Sequence, residues 1–151
     1  MIAKYNDNYF NISLVRKPTR IWKYDYIEGF NKKIKKDGLI VYEKYIELNE
    51  IDEIFEIGFS VCWDGQWCGI FYSASKELLS MHTNDRKFAE NHGMTELERG
   101  VYSCAKPASC FTEYRMWTRD LHTKKDTYTI VDYKKFKILW KQMISDLIPP
   151  R

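Results

Sequence analysis

The stretch 59-FSVCWDGQWCGIFY-72 predicts a β-hairpin, and the interpretation of the rest of the chain starts from it. Along 55-FEIGFSVCW-63, apolar side chains alternate with small or polar ones. This period of two is typical of a strand that buries one face. Asp64-Gly65 is a dipeptide that tight hairpin turns favour, and the residues after it supply the second strand.

The length of the turn decides which side chains lie opposite each other. A three-residue loop would place Trp63 opposite Trp67 and Cys62 opposite Cys68, which gathers the aromatic rings on one face. A two-residue loop would shift the pairing and place Cys62 opposite Trp67. The turn residues fit both loops, so the sequence predicts the hairpin but leaves its register open.

The composition is typical of one packed globular domain. The chain has 151 residues, of which 44% are hydrophobic and 16% are aromatic, and it contains few glycines or prolines to interrupt regular structure. Repeats and Gly/Ser linkers are absent from the sequence. We therefore expect a single domain covering residues 1–151.

The N-terminus and the short apolar stretches indicate a cytoplasmic protein. The segment 1-MIAKYNDNYFNISL-14 lacks the apolar run of a secretory signal. No apolar stretch approaches the roughly 20 residues that a membrane-spanning helix needs. In a reducing cytoplasm, we expect the four cysteines to remain thiols.

The remaining segments predict a mixture of strands and helices. Strands are expected at 10–16, 20–27, the first half of 39–48 and 100–105, with a second hairpin at 113–121 and 127–131. Helices are expected at 28–36, at 76–81 after Ser75, at 85–91 with Asn84 or Asp85 as N-cap, and at 133–148 after Asp132. A capping box from Thr95 to Glu98 is a weaker helix signal beside the strand at 100–105.

The C-terminal helix has the clearest helical pattern. Its apolar residues fall on one stripe at helical spacing: Phe136, Leu139, Trp140, Met143 and Leu147. Pro149-Pro150 ends it. The predicted fold class is α+β, a single domain with a mainly antiparallel sheet, flanking helices and this amphipathic C-terminal helix.

The cysteines and histidines do not form a known catalytic or metal motif. Cys62 and Cys68 have the same spacing as Cys104 and Cys110, which raises the question of a zinc site. Zinc motifs usually separate paired cysteines by two to four residues, whereas five intervene here. The three histidines are dispersed, and His92-Gly93 fits a helix terminus. We expect no metal, no cofactor and no enzymatic activity.

Acidic residues cluster just before the hairpin and predict a docking surface. The candidate partner-binding residues are Glu43, Glu47, Glu50, Asp52 and Glu53, together with Trp63, Asp64 and Trp67 of the hairpin. A concentrated negative charge accelerates association with a basic partner and disfavours wrong partners. Exposed tryptophans are frequent anchors of protein interfaces.

Two lysine-rich blocks support an alternative function. They lie at 32–36 and 134–141. Stacking faces for a single-stranded nucleic acid would come from aromatic residues near the first block: Trp22, Tyr24, Tyr26 and Phe30. The net charge of +3 is mild for a dedicated nucleic-acid binder, and the acidic cluster repels phosphate. A small nucleic-acid-binding or regulatory module is therefore the alternative, and an enzyme with a pocket around His92 or clustered carboxylates is the third.

The chain resembles the immunity proteins of bacterial toxin systems, namely those of contact-dependent growth inhibition and related polymorphic toxins. The features that carry the resemblance are the α+β domain of this size, the acidic stretch beside aromatic residues and the closing segment 127-TYTIVDYKKFKILWKQMI-144. The resemblance implies a protein without activity of its own that binds one cognate toxin domain and blocks it. Such toxins are often basic nucleases, for which an acidic surface is the natural complement.

Overall fold

The computed structural model describes residues 1–15 and 17–150. Arg16, which ends the predicted first strand, and Arg151, which ends the predicted domain, lie outside the described residues. The strands are β1 (Ile2–Tyr5), β2 (Asn8–Ser13), β3 (Thr19–Lys23), β4 (Asn31–Ile34), β5 (Ile40–Ile46), β6 (Glu53–Trp63), β7 (Gln66–Ser73), β8 (Leu78–Thr83), β9 (Thr95–Glu98), β10 (Val101–Pro107), β11 (Tyr114–Asp120) and β12 (Asp126–Val131). The α-helices are α1 (Arg86–Asn91) and α2 (Tyr133–Met143), and short 3-10 helices span Leu48–Glu50, Ala108–Cys110 and Ser145–Leu147.

The fold is mainly antiparallel sheet, as predicted. Strands make up 50% of the chain and helices 17%, including the C-terminal helix. The chain forms two compact units. The first comprises Met1–Ile57, Arg119–Asp126 and Ile138–Arg151, and the second comprises Gly58–Thr118 and Thr127–Lys137. The prediction of one domain over residues 1–151 stays a prediction.

The first unit is built on a sheet with the strand order β4-β5-β3-β2-β1-β6. Its core consists of small and β-branched residues around one aromatic ring: Ala3, Phe10, Ile12, Ile21, Ile46 and Ile54. Phe10 stacks on Phe30 with ring centroids 5.1 Å apart. Asn11 Nδ2 donates a hydrogen bond of 2.8 Å to the carbonyl of Leu147, which fastens the C-terminal segment to this sheet.

The second unit has the strand order β6-β7-β8-β10-β9, and β11 pairs with both β6 and β12. Its core is aromatic and centres on Phe136 of α2, which is fully buried. The Phe136 ring lies 4.4 Å from that of Tyr114, 5.3 Å from Tyr72 and 5.5 Å from Phe59. Helix α2 therefore covers one face of this sheet.

Three segments predicted as helix are strands. Residues 31–34 form β4, which pairs with β5 across Lys33 and Val41. Residues 78–83 form β8, in which Leu79 and Met81 are buried while Ser80 is exposed. Residues 95–98 form β9 rather than a capped helix. In each case, pairing with a neighbouring strand outweighed weak local helix signals.

Both α-helices begin where the sequence predicts. The Asp85 carboxylate accepts a hydrogen bond of 2.9 Å from the amide of Phe88, and the Asp132 carboxylate accepts one of 2.8 Å from the amide of Lys135. The predicted apolar stripe of the C-terminal helix is buried at Phe136, Trp140, Met143 and Leu147, whereas Leu139 is half-buried. The helix is shorter than predicted, because the last turn is the 3-10 helix Ser145–Leu147.

Candidate functional site: the hairpin, the outer sheet face and the acidic segment

The hairpin has the two-residue turn. Cys62 pairs with Trp67, and Val61 pairs with Cys68. Asp64 and Gly65 have φ angles of +46° and +79°, the left-handed conformation that a type I′ turn requires at both central positions. Successive residues of a strand point to opposite faces. Trp63 therefore lies on the buried face with Val61, whereas Trp67 lies on the opposite face.

Trp63 packs into the core-facing side of the second unit. Its ring contacts Phe88, His92 and Phe111, with centroid distances of 5.6, 4.6 and 6.2 Å. The Lys106 ammonium lies 5.5 Å from the same ring. These contacts make Trp63 a packing residue that fastens the hairpin tip to α1.

His92 and Asp64 join the end of α1 to the hairpin turn. His92 Nε2 lies 2.8 Å from the Asp64 carboxylate, and Nδ1 lies 2.8 Å from the carbonyl of Phe88. Both partners are acceptors, so the protonated imidazole, in which both ring nitrogens donate, satisfies both contacts. The hydrogen bond to Asp64, followed by that to the Phe88 carbonyl, raises the pKa of His92 above its ordinary value. With both nitrogens engaged, His92 is not placed to act as a general base.

The cysteines differ in burial: Cys68 is buried, Cys62 and Cys104 are half-buried, and Cys110 is exposed. All four are free thiols. Burial, with smaller contributions from Cys104 and Cys62, raises the pKa of Cys68 to about 11, which disfavours the reactive thiolate. Within residues 1–15 and 17–150, no group of three or more His, Cys, Asp or Glu side chains is arranged to hold a metal ion.

The surface opposite the α2-covered face of the second unit carries aromatic residues and an arginine; we call it the outer face. Its members are Trp67, Phe71, Arg115, Trp117 and Tyr128. The Arg115 guanidinium lies 4.4 Å from the Trp67 ring and 4.7 Å from the Tyr128 ring, so it is stacked against both. Phe71 is 50% exposed and Tyr128 is 55% exposed.

Small residues lie beside two of the aromatic rings of the outer face, Phe71 and Trp117. Phe71 pairs across the sheet with Ser80, which in turn pairs with Ala105. A Cβ atom at Gly58 would lie 3.2 Å from Trp117 Cε3, so the glycine lets the indole lie close to the strand. Small residues thus flank Phe71, whereas the His82 side chain lies over Gly69, the residue between Trp67 and Phe71 on this face of β7.

Arg115 and Tyr128 were not among the sequence candidates. The alternation of 113-EYRMWTRDL-121 places Arg115 and Trp117 on one face, and that signal was present in the sequence. It did not indicate which distant strand would supply the rings that contact Arg115, because Trp67 lies far away along the chain.

Glu43 differs in position from the other acidic candidates. It is 6% exposed, and its carboxylate lies 3.2 Å from Arg20 Nη1 and 3.5 Å from Lys33 Nζ. Strand alternation places it on the same face as the buried Val41. Its charge is therefore compensated inside the first unit and is not presented to a partner.

The remaining acidic candidates form an exposed group that we call the acidic segment: Glu47, Glu50, Asp52 and Glu53. The Glu50 carboxylate accepts a hydrogen bond of 2.7 Å from the amide of Glu47, which fixes the short 3-10 helix between them. The Asp52 amide donates to the carbonyl of Lys4 at 2.9 Å, which holds the backbone at the start of β6. In the described part of the chain, no cation lies within ion-pair distance of these four carboxylates.

The lysine blocks are not two helices. Lys32 and Lys33 lie on the edge strand β4, and only the block at 134–141 is helical. Lys33 and Lys137 are engaged by carboxylates, the latter 3.8 Å from Glu77.

Among the described residues, no helix has the length and apolar character needed to cross a membrane.

Comparison with known proteins identifies a family but no described relative. No curated protein and no solved structure matches the chain. A family profile described as "Uncharacterised conserved protein UCP033725" matches residues 1–108, a range that contains the acidic segment, the hairpin and α1. Because the match covers 108 of the 151 residues, the chain belongs to this family.

Proposed function

We propose that this protein is a cytoplasmic immunity or inhibitor protein that binds a cognate bacterial toxin domain and neutralises it, without catalytic activity of its own. The observation that carries the proposal is the acidic segment, in which four exposed carboxylates occur within seven residues and none lies within ion-pair distance of a cation in residues 1–15 and 17–150. A basic toxin domain, such as a nuclease that holds phosphate, is the partner that this charge fits.

In the free protein, the four carboxylates of the acidic segment repel one another. Like charges held close together on a folded backbone are unfavourable, and cations of a partner relieve that repulsion on binding. The summed field also raises the rate of encounter with a basic surface, by about 10- to 1,000-fold in favourable cases. Such steering acts on the association rate more than on the dissociation rate.

The same charges argue against the nucleic-acid alternative. Exposed carboxylates repel phosphate, and two of the lysines that would bind it, Lys33 and Lys137, are engaged by Glu43 and Glu77. A nucleic-acid-binding protein would show an affinity that falls steeply as salt rises.

The test is to express the protein together with the product of the gene immediately upstream, and to measure complex formation and protection of the cells from that product. The triple variant Glu47→Lys, Glu50→Lys, Glu53→Lys should slow association at low salt about tenfold or more and weaken protection. The difference should shrink at high salt because exposed charges are screened. Circular dichroism and the unfolding midpoint should show that the fold is retained.

A matched control keeps the change in net charge constant. Asp25→Lys, Glu28→Lys, Glu98→Lys alters three exposed acidic residues outside the acidic segment. We expect it to associate at nearly the wild-type rate. Equal slowing in both triple variants would mean that net charge, not the acidic segment, guides the encounter, and an absence of any complex would contradict the proposed function.

A further inference from the structure

The outer face differs from an ordinary solvated sheet face. Antiparallel sheets with one face in water usually alternate buried apolar residues with polar residues that face the solvent. Here the solvent-facing positions include Trp67, Phe71 and Tyr128, two of them half exposed or more. Single exposed apolar residues are common, but an apolar group gathered on one face marks an interaction site.

Arg115, the arginine on this face, has a buried hydrogen-bond donor without a partner among the described residues. This donor is Nε. A buried donor without a partner costs about 1–3 kcal/mol, and such groups in folded proteins call for an explanation. A partner's carboxylate that accepts from the Arg115 guanidinium would supply a charge-assisted hydrogen bond while the stack on Trp67 and Tyr128 stays in place.

The residue types also match those of interface anchors. Trp, Tyr and Arg are the residues that dominate binding energy at protein interfaces. The stacking of Arg115 against Trp67 and Tyr128 holds all three side chains before a partner arrives. Ordering them in the free protein reduces the entropy lost on binding.

We propose that the outer face is the anchoring surface for the toxin domain, and that it receives an Asp or Glu carboxylate at Arg115 together with apolar side chains over Trp67, Phe71 and Tyr128. The inference rests on the proposed function and adds the chemistry of the second contact. The acidic segment sets how fast the partner arrives, whereas the outer face sets how long it stays.

A protein occupant fits this face better than a nucleic acid does. Aromatic side chains and arginine can stack on bases, but tracking a phosphate backbone needs several cations along a groove. Arg115 is stacked on two rings of this face, and the exposed Glu113 lies two residues before it. An arginine beside a carboxylate suits pairing with a single acidic side chain.

The experiment measures association and dissociation rates of the purified complex with the product of the gene immediately upstream. Trp67→Ala, Phe71→Ser and Arg115→Gln should each raise the dissociation rate about tenfold or more, with little change in the association rate. Arg115→Lys should fall between wild type and Arg115→Gln, because it keeps the charge but loses the planar stack. Leu97→Ala is the matched control, since Leu97 is 73% exposed in the same unit but lies on β9.

Phe71→Ser is the outer-face variant that should disturb the fold least. Arg115 holds two rings in place, so its replacement can alter the surface locally, whereas Phe71 is half exposed and faces Ser80. Unfolding midpoints for all variants, measured alongside the rates, separate loss of the fold from loss of the contact.

The possible outcomes distinguish failure of the outer-face inference from failure of the proposed function. Faster dissociation of the outer-face variants, with wild-type behaviour of Leu97→Ala, supports the inference. Unchanged dissociation, with slower association of the acidic triple variant, overturns the outer-face inference and leaves the proposed function standing. Failure to form any complex overturns both. Salt-sensitive binding of a mixed-sequence single-stranded RNA, abolished by Trp67→Ala, also overturns both in favour of a nucleic-acid-binding protein.

Discussion

Replacing Phe136 with alanine tests the packing on which the second unit depends. The ring is fully buried and lies 4.4 Å from Tyr114 in a stacked arrangement, with Tyr72 and Phe59 at 5.3 and 5.5 Å. Deleting a buried phenylalanine ring costs about 3–5 kcal/mol. Each aromatic pair adds roughly 0.5–1.5 kcal/mol beyond area burial. We therefore expect the upper part of that range, about 4–5 kcal/mol of the free energy of unfolding.

The assay is urea unfolding, supported by thermal melting. For a chain of this length, about 1 kcal/mol corresponds to roughly 2–4 °C in Tm, so Phe136→Ala should lower Tm by about 8–20 °C. Phe136→Leu keeps much of the volume and should cost less, which provides a measurable variant if Phe136→Ala fails to fold. Ile138→Ala on the same helix is the control, because Ile138 is 44% exposed and should change stability by less than about 0.5 kcal/mol. Similar losses for Phe136→Ala and Ile138→Ala would refute the reasoning.

Two further predictions concern the hairpin turn. Gly65→Ala should destabilise the protein by about 1 kcal/mol. An alanine in the left-handed conformation costs roughly 1–2 kcal/mol, and the stiffer unfolded chain offsets part of this cost. A steric clash adds nothing, because a Cβ at this position would meet no atom within 4 Å. Gly65→Asn should cost less, since asparagine tolerates that conformation, and equal losses in urea unfolding would count against the type I′ turn. The pKa of His92 is raised in the folded protein, so its pair with Asp64 adds to the free energy of unfolding. This contribution is fully present below about pH 6.5, the unfolded-state pKa, and is lost as pH rises through the folded-state pKa. Asp64→Asn should therefore flatten the dependence of the urea midpoint on pH above about 6.5, and parallel curves for variant and wild type would contradict the pairing.

The strands of the hairpin were predictable because alternation and turn chemistry agree. Its register was not, because Asp64-Gly65 suits both loop lengths. The choice depends on strand twist, since two residues with positive φ make a turn that matches the twist of the paired strands. That single choice moved Trp67 to the face opposite Trp63.

The helix predictions that were wrong had a common origin. The segments at 28–36 and 76–81 contain residues that favour helices locally, such as lysine, glutamate and leucine. In the structure, Leu78–Thr83 forms β8, and its residues alternate between buried and exposed positions. Strand pairing between distant segments is invisible to a local pattern and decided the outcome.

The candidate site was predictable in part. The four carboxylates of the acidic segment are exposed, and their role in binding a partner stays a prediction, whereas Glu43 follows the alternation of β5, is buried and lies beside Arg20. The stack of Arg115 on Trp67 joins two strands that lie far apart along the chain. Such a contact depends on the sheet order, and no spacing within either strand encodes it.

The length of the turn at Asp64 and Gly65 has a consequence for how this protein can change by mutation. Side chains on a strand have a period of two, so one inserted residue that shifted the pairing by one position would exchange the two faces of β7. Ile70 and Tyr72 would leave the core, and Trp67 and Phe71 would be driven into it. Substitutions on the outer face can therefore vary the binding surface one residue at a time, whereas a change in loop length would disturb the core and the binding surface together.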